Sequence, residues 1–143
     1  LSSGPFWLES FDTASWSFTL KAHRDGYPFR ADYWEEYRFP KIPDVALKAP
    51  STVFSGVPAV FAFTSVVAGS PYDDITSIWF LKDLTTGEII EQGAGTQIGA
   101  GAYTVTLSAD LTEELLFGNF ELILVVSSAD AAPPTIRRAA FLV

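Results

Sequence analysis

Few residues in this chain could do chemistry. His23 is the one histidine, and there is no Cys and no Met. That removes thiol nucleophiles, Cys-ligated zinc, Fe–S clusters and disulfides. A Ser-His-Asp triad would have to use His23, and no Gly-x-Ser-x-Gly elbow accompanies it. His23 reads instead as a strand-end residue beside Asp25. Adjacent carboxylates occur at Asp73-Asp74, Glu35-Glu36 and Glu113-Glu114. Glycoside hydrolysis needs two carboxyls facing each other across a sugar. Neighbours on a strand point to opposite faces, so these pairs read as solvated charge. Asp73 and Asp74 are the candidate oxygen ligands for a calcium ion, without the spacing of an EF-hand. Residues 93–101, Gly-Ala-Gly-Thr-Gln-Ile-Gly-Ala-Gly, resemble a phosphate loop only in glycine content. The G-x-G-x-x-G order and a following Lys are both missing, so the run reads as an interstrand loop or bulge. No catalytic residue and no cofactor is expected.

Aromatic side chains are the remaining candidates for binding. Eleven of twenty-one lie in the first 50 residues. Tyr33, Trp34 and Tyr37 are the candidate ligand-binding set, with Trp34 and Tyr37 spaced for one face of a helical turn. Trp7 and Phe11 are expected on one strand face, and Trp16, Phe18 and Leu20 on another. Those positions suit packing better than an open platform for sugars.

The elements that must position these residues fall into two regions. Residues 1–50 carry six basic and seven acidic side chains, and residues 51–143 carry three and ten. The total of −8 sets the chain against nucleic acid and anionic lipid surfaces. No run reaches the roughly 18 apolar residues of a membrane helix. The domain boundary is placed at 44/45, with residues 1–44 as a hairpin plus linker and 45–143 as a sandwich.

In the second region seven apolar segments alternate with turn residues. They are 45–48, 59–67, 75–82, 88–91, 102–108, 120–127 and 135–143. The breaks include Ser55-Gly56, Gly69-Ser70-Pro71, Thr86-Gly87 and Pro133-Pro134, all strong turn punctuation. Tyr103, Val105 and Leu107 alternate with polar residues, and so do Phe120, Leu122, Leu124 and Val126. The segment around Trp79 and Phe80 is apolar on both faces and reads as a central strand. Residues 111–117 read as a short helix, capped by Asp110 or Thr112 and ended by Gly118.

In the first region residues 6–11 and 15–22 read as a hairpin across Asp12-Thr13-Ala14. An irregular aromatic-rich stretch follows, and Pro40 and Pro43 read as a linker. The absence of Met predicts a processed or excised chain. One Asn and two Gln, with no Cys or Met, match a thermophile tendency.

Two resemblances follow from these residues. The run Trp79-x-Leu81, Thr86-Gly87-Glu88, Gly101-x-Tyr103-x-Val105-x-Leu107 and Gly118-Asn119-Phe120-x-Leu122-x-Leu124 resembles immunoglobulin-like or fibronectin-III-like modules of surface proteins. It implies a mainly β fold, a seven-stranded antiparallel immunoglobulin-like β-sandwich. It departs from antibody domains in lacking both cysteines, and Phe120 stands where a tyrosine-corner hydroxyl is expected. Trp79 is expected to fill the core where a disulfide would sit.

The second covers residues 3–34. Gly4-Pro5-Phe6-Trp7-Leu8-Glu9-Ser10-Phe11-Asp12, Thr19-Leu20-Lys21-Ala22-His23-Arg24-Asp25, Tyr27-Pro28-Phe29 and Trp34 are similar to the C-terminal end of family-5 extracellular solute-binding proteins. These are peptide-type receptors of ABC importers, and with the thermophile-like composition an archaeal host is implied. His23 departs from that pattern. The resemblance implies peptide transport and an extracellular protein, tethered to the membrane through parts outside this sequence. Its partners would be the parent receptor lobes and the ABC permease, with a cell-envelope protein or glycan on the sandwich. A carbohydrate-binding module, or an accessory sandwich of a secreted hydrolase, is the alternative. A hairpin taken from a larger lobe should show an uncovered aromatic face at Trp7 and Trp16.

Overall fold

The computed structural model describes residues 6–22 and 40–143. Two units divide at Pro40, Leu1–Pro40 and Lys41–Val143, and each is described by itself.

In the first unit β1 (Phe6–Asp12) pairs antiparallel with β2 (Ser17–Ala22). Asp12 makes the turn: its carboxylate accepts from Ala14 N at 2.8 Å and Ser15 Oγ at 2.6 Å. The Ser15 hydroxyl, then the Ala14 amide, hold the Asp12 carboxyl below its ordinary range. Trp16 belongs to this turn, not to the strand as expected. Its φ of 54° is left-handed, and its ring meets Phe11 edge-on at 6.1 Å.

A bulge at Glu9 changes which residues share a face. Trp7 pairs with Lys21, but beyond the slip Phe11 pairs with Phe18. The extra residue inverts the alternation, so Trp7 and Phe11 lie on opposite faces, contrary to expectation. Phe6, Leu8, Phe11, Phe18 and Leu20 now share one face. Each of these five is between 48% and 63% exposed. On the other face Lys21 Nζ sits 3.4 Å from Glu9 and 5.7 Å from the Trp7 ring centroid.

The second unit is built from two antiparallel sheets. One is ordered β3 (Asp44–Lys48), β4 (Ala59–Val67), β9 (Ala102–Leu107) and β8 (Thr96–Gly99), with β5 (Ser70–Pro71) also on β4. The other is ordered β11 (Ala131–Leu142), β10 (Asn119–Ser128), β6 (Ile75–Asp83) and β7 (Ile89–Ala94). The alternate residues Phe61, Phe63, Val105, Leu107, Leu81, Leu122, Leu124 and Val126 are buried in one shared core. Each large apolar side chain so buried contributes about 1.5–3 kcal/mol. Phe63 stacks on Tyr103 at 5.1 Å, and Phe141 meets Phe61 at 5.3 Å and Phe120 at 6.0 Å.

Trp79 lies in that core, 7% exposed, on the strand between β10 and β7. Its indole Nε1 donates to Ala94 O at 3.2 Å. Gly93 is its cross-strand partner, and a Cβ there would stand 2.8 Å from the ring. A Cβ on Gly95 would stand 2.7 Å from Ser77 Oγ and 3.0 Å from the Phe63 ring. The expected loop at 93–101 is therefore corrected. Its first part ends β7, its middle is β8, and the glycines let the chain cross closely from one sheet to the other.

Two further expectations change. Pro133-Pro134 lie inside β11, not between strands. Thr135 pairs with Val126 and Ala131 with Ser128, so the prolines occupy a bulge on an edge strand, where a missing N–H costs no ladder bond. The helix α1 (Ala109–Glu114) both starts and ends earlier than expected, with Leu115 and not Gly118 closing it. Ser108 is its cap, accepting from Leu111 N at 3.2 Å. Thr112 is buried, its hydroxyl on Val57 O and Ala109 O. Pro43 is likewise part of the sandwich: it is fully buried, and its carbonyl accepts from Thr135 Oγ1 at 2.6 Å. Arg137 Nε adds a bond to Val45 O at 2.6 Å. These side chains close the edge of β3.

Ser65 is fully buried on the core face of β4, and its hydroxyl has no hydrogen-bond partner among the described residues. An unmade buried bond costs about 1–3 kcal/mol. Ser65→Ala should therefore raise stability by about 1 kcal/mol, read as a higher urea midpoint. A lower midpoint would show that the hydroxyl is satisfied.

Candidate functional site

Tyr33, Trp34 and Tyr37, together with His23 and Glu35-Glu36, lie outside the described residues. Asp73 and Asp74 are placed in the loop between β5 and β6. Asp73 Oδ1 accepts from Gly101 N at 2.6 Å and Gln97 Nε2 at 2.9 Å. Its carbonyl accepts from Tyr103 OH at 3.2 Å and Ile75 N at 2.9 Å. Burial, then the Asp73 charge, pushes the Tyr103 phenol up. Asp73 is thus a clamp joining the β5–β6 loop to Gly101, whose φ is +60°. One Asp73 carboxylate oxygen is already engaged by N–H donors, whereas calcium takes six to eight oxygens from carboxylates, carbonyls and waters. Among the described residues no group of three or more His, Asp or Glu could hold a metal. Glu113 and Glu114 stand exposed on α1.

Beside that loop lies a cluster the sequence did not reveal. Lys41 Nζ donates to Asp130 Oδ2 at 2.7 Å, and Tyr72 OH reaches the same oxygen at 3.2 Å. Tyr72 OH is also 3.1 Å from Ser128 Oγ, which accepts from Asp130 N at 3.0 Å. The Lys41 hydrogen bond, then that of Tyr72, holds the Asp130 carboxyl below its ordinary range. Asp130 in turn holds the Lys41 ammonium above its own. The signs fix the pH window. The Asp130 contribution is present above the unfolded carboxylate range and is lost as pH falls through the lowered value. The Lys41 contribution is present below the unfolded lysine range and is lost as pH rises through the raised value. The pair therefore operates across neutral pH, as an exposed tie with little energy in it. In Lys41→Ala, the carboxyl carbon resonance of Asp130 should titrate at higher pH than in the parent chain. An unmoved midpoint would contradict the pairing.

The other end of β6 carries apolar surface. Leu84 N bonds to Asn119 O at 3.0 Å, tying the β6–β7 turn to β10. Asp83 shapes that turn by accepting from Thr85 N at 2.6 Å, and Gly87 completes it at φ +80°. Leu115 is buried, but the next two residues, Leu116 and Phe117, are 83% and 95% exposed. A shallow groove of about 230 Å3 lies beside them, lined by Asp83, Ile90, Glu114, Leu115, Leu116 and Phe120.

Fold and site together define a class: a mainly β protein of antiparallel sheets, with exposed apolar surface at a hairpin and at one sandwich end. No helix among the described residues is long and apolar enough to cross a membrane. No family model and no curated protein matches the chain. Among solved structures it is similar to a mutant Salmonella alpha-2-macroglobulin, at 13% identity over 98% of this chain with a TM-score of 0.51. The chain spans 10% of that protein's length. It is also matched by a conjugative transposon lipoprotein from Bacteroides eggerthii, at 14% identity over 71% of this chain and 96% of that one, with a TM-score of 0.41. The first likeness bears on the fold alone, and the second is too distant to add to it.

Proposed function

We propose that this chain is the non-catalytic C-terminal part of an extracellular ABC-transporter solute-binding protein. Its sandwich is immunoglobulin-like and acts as a spacer or an envelope- and protein-interaction module. The observation that carries the reading is the hairpin. Its five-residue apolar face is about half exposed, as suits a segment whose proper cover is the rest of a receptor lobe. Of the residues that resemble the receptor family, Phe6–Asp12 and Thr19–Ala22 lie in that hairpin, which supports the reading. The immunoglobulin-like assignment draws support from the strand order, β3-β4-β9-β8 facing β11-β10-β6-β7. In this reading the ligand cleft lies elsewhere in the receptor, and the permease meets the whole protein. The test is the gene and its neighbours: a receptor lobe encoded upstream in frame, with permease genes alongside, is expected. A hydrolase domain in frame, or no permease genes, would count against it.

A carbohydrate-binding or hydrolase-accessory role is the second reading. Trp16, 80% exposed, is the observation favouring it. Glycan-array binding lost in Trp16→Ala or Trp34→Ala would support that reading over the first.

A further inference from the structure

We propose that the sandwich end bearing the β6–β7 turn and the α1–β10 loop is a docking surface for a basic protein segment with an apolar centre. The inference rests on the reading of the sandwich as an interaction module and names the chemistry of its partner.

Leu116 and Phe117 are adjacent, large and 83% and 95% exposed. Their loop is pinned at both ends. Leu115 is 6% exposed, and Gly118 exchanges backbone bonds with Val143 at 3.3 and 3.1 Å. The two side chains are thus held outward by a fixed backbone. Leu84, 44% exposed, and Ile90, 42% exposed, extend the apolar surface across the neighbouring turn and strand. Ile90 and Leu116 line the same groove, and exposed apolar side chains gathered at one end in this way suit an interaction site.

The charge lining the groove is of one sign. Asp83 and Glu114 line the groove. Glu88 lies in the turn, bonded through its carbonyl to Asp83 N, and Glu113 precedes Glu114 on α1. No Lys or Arg lines the groove among the described residues. Lys82 stands across from Glu121, which faces Arg138 at 3.9 Å. A second copy docking by this same end would bring carboxylates against carboxylates. A partner with Lys or Arg flanking large apolar side chains meets the rim with complementary charge and fills the groove with its centre. Apolar burial would supply affinity, and the rim would supply selection and encounter rate.

The probe is a short fluorescent synthetic peptide, Leu-Phe-Leu at its centre and lysine on both flanks. Its counterpart has glutamate flanks. Anisotropy should show micromolar binding of the lysine peptide, weakening with salt, and none of the glutamate peptide. Phe117→Ser and Glu114→Lys should each weaken binding at least tenfold with an unchanged thermal midpoint. Equal binding of both peptides, binding of neither, or unaltered affinity in both variants would overturn the proposal. So would dimerisation of the chain lost in Phe117→Ser, or adsorption to phosphatidylcholine vesicles that requires Phe117. The receptor-tail reading is tested by gene neighbourhood, so failure here leaves it standing.

Discussion

Replacing Trp79 with Ala should remove about 3–5 kcal/mol of stability. That is a large share of the roughly 5–15 kcal/mol a domain possesses. The residue sits on the strand between β10 and β7, opposite Leu124 and Gly93, and is 7% exposed. The chain has no Cys. Packing must therefore join the sheets without the help of a cross-link that restrains the unfolded chain. Trp79→Phe separates the ring from its N–H. It keeps most of the apolar area and loses the bond to Ala94 O, so about 1 kcal/mol is expected. Urea unfolding followed by circular dichroism measures both. A loss below about 1 kcal/mol for Trp79→Ala would show that the sheets are held by something other than this ring.

Gly93→Ala should destabilise by about 1–3 kcal/mol, although it adds a single methyl group. The new Cβ would stand 2.8, 2.9 and 3.0 Å from Trp79 ring atoms. The ring must move, and its bond to Ala94 O moves with it. Gly99→Ala, in the same glycine-rich run, is the contrast. There the nearest atom would be Ala102 Cβ at 3.9 Å, an ordinary contact. It should be neutral within about 0.5 kcal/mol. The cause can be isolated by a double-mutant cycle. In a Trp79→Ala background the cost of Gly93→Ala should largely vanish. A cost that persists there would place its origin in the backbone and not under the ring.

These glycines show where sequence and structure part. Strand positions such as Tyr103, Val105 and Leu107 were legible because burial on one face imposes a two-residue period. Trp79 was legible because a segment apolar on both faces belongs in the middle of a sheet. Gly93 and Gly95 were not, since the same residue type serves a loose loop and a tight crossing. Pro133-Pro134 misled for a related reason: a proline pair punctuates turns, yet an edge-strand bulge accommodates it. The bulge at Glu9 depends on pairing register, which no local pattern encodes, and it separated Trp7 from Phe11. Ser108 was overlooked as the helix cap because Asp110 and Thr112 offered the same chemistry two and four residues later. The Lys41–Tyr72–Asp130 tie joins three loops far apart in sequence. Asp73 drew notice for its charge, and its work is to hold Gly101 and Gln97. Tyr33, Trp34 and Tyr37 fall outside the described residues.

Under the proposed function the sandwich is self-sufficient, and the hairpin belongs under the cover of a larger receptor lobe. Residue-resolved hydrogen exchange tests this most directly. Core strands open only with global unfolding, whereas an uncovered two-stranded hairpin opens locally. In this chain the bonded amides of β6, β9 and β10 should exchange slowly, and those of β1 and β2 near the rate of an unstructured peptide. In a longer chain that carries the proposed receptor lobe, the β1 and β2 amides should become as protected as those of β10. Strong protection of β1 and β2 in the monomeric chain alone would contradict the account, because the hairpin would already have its cover.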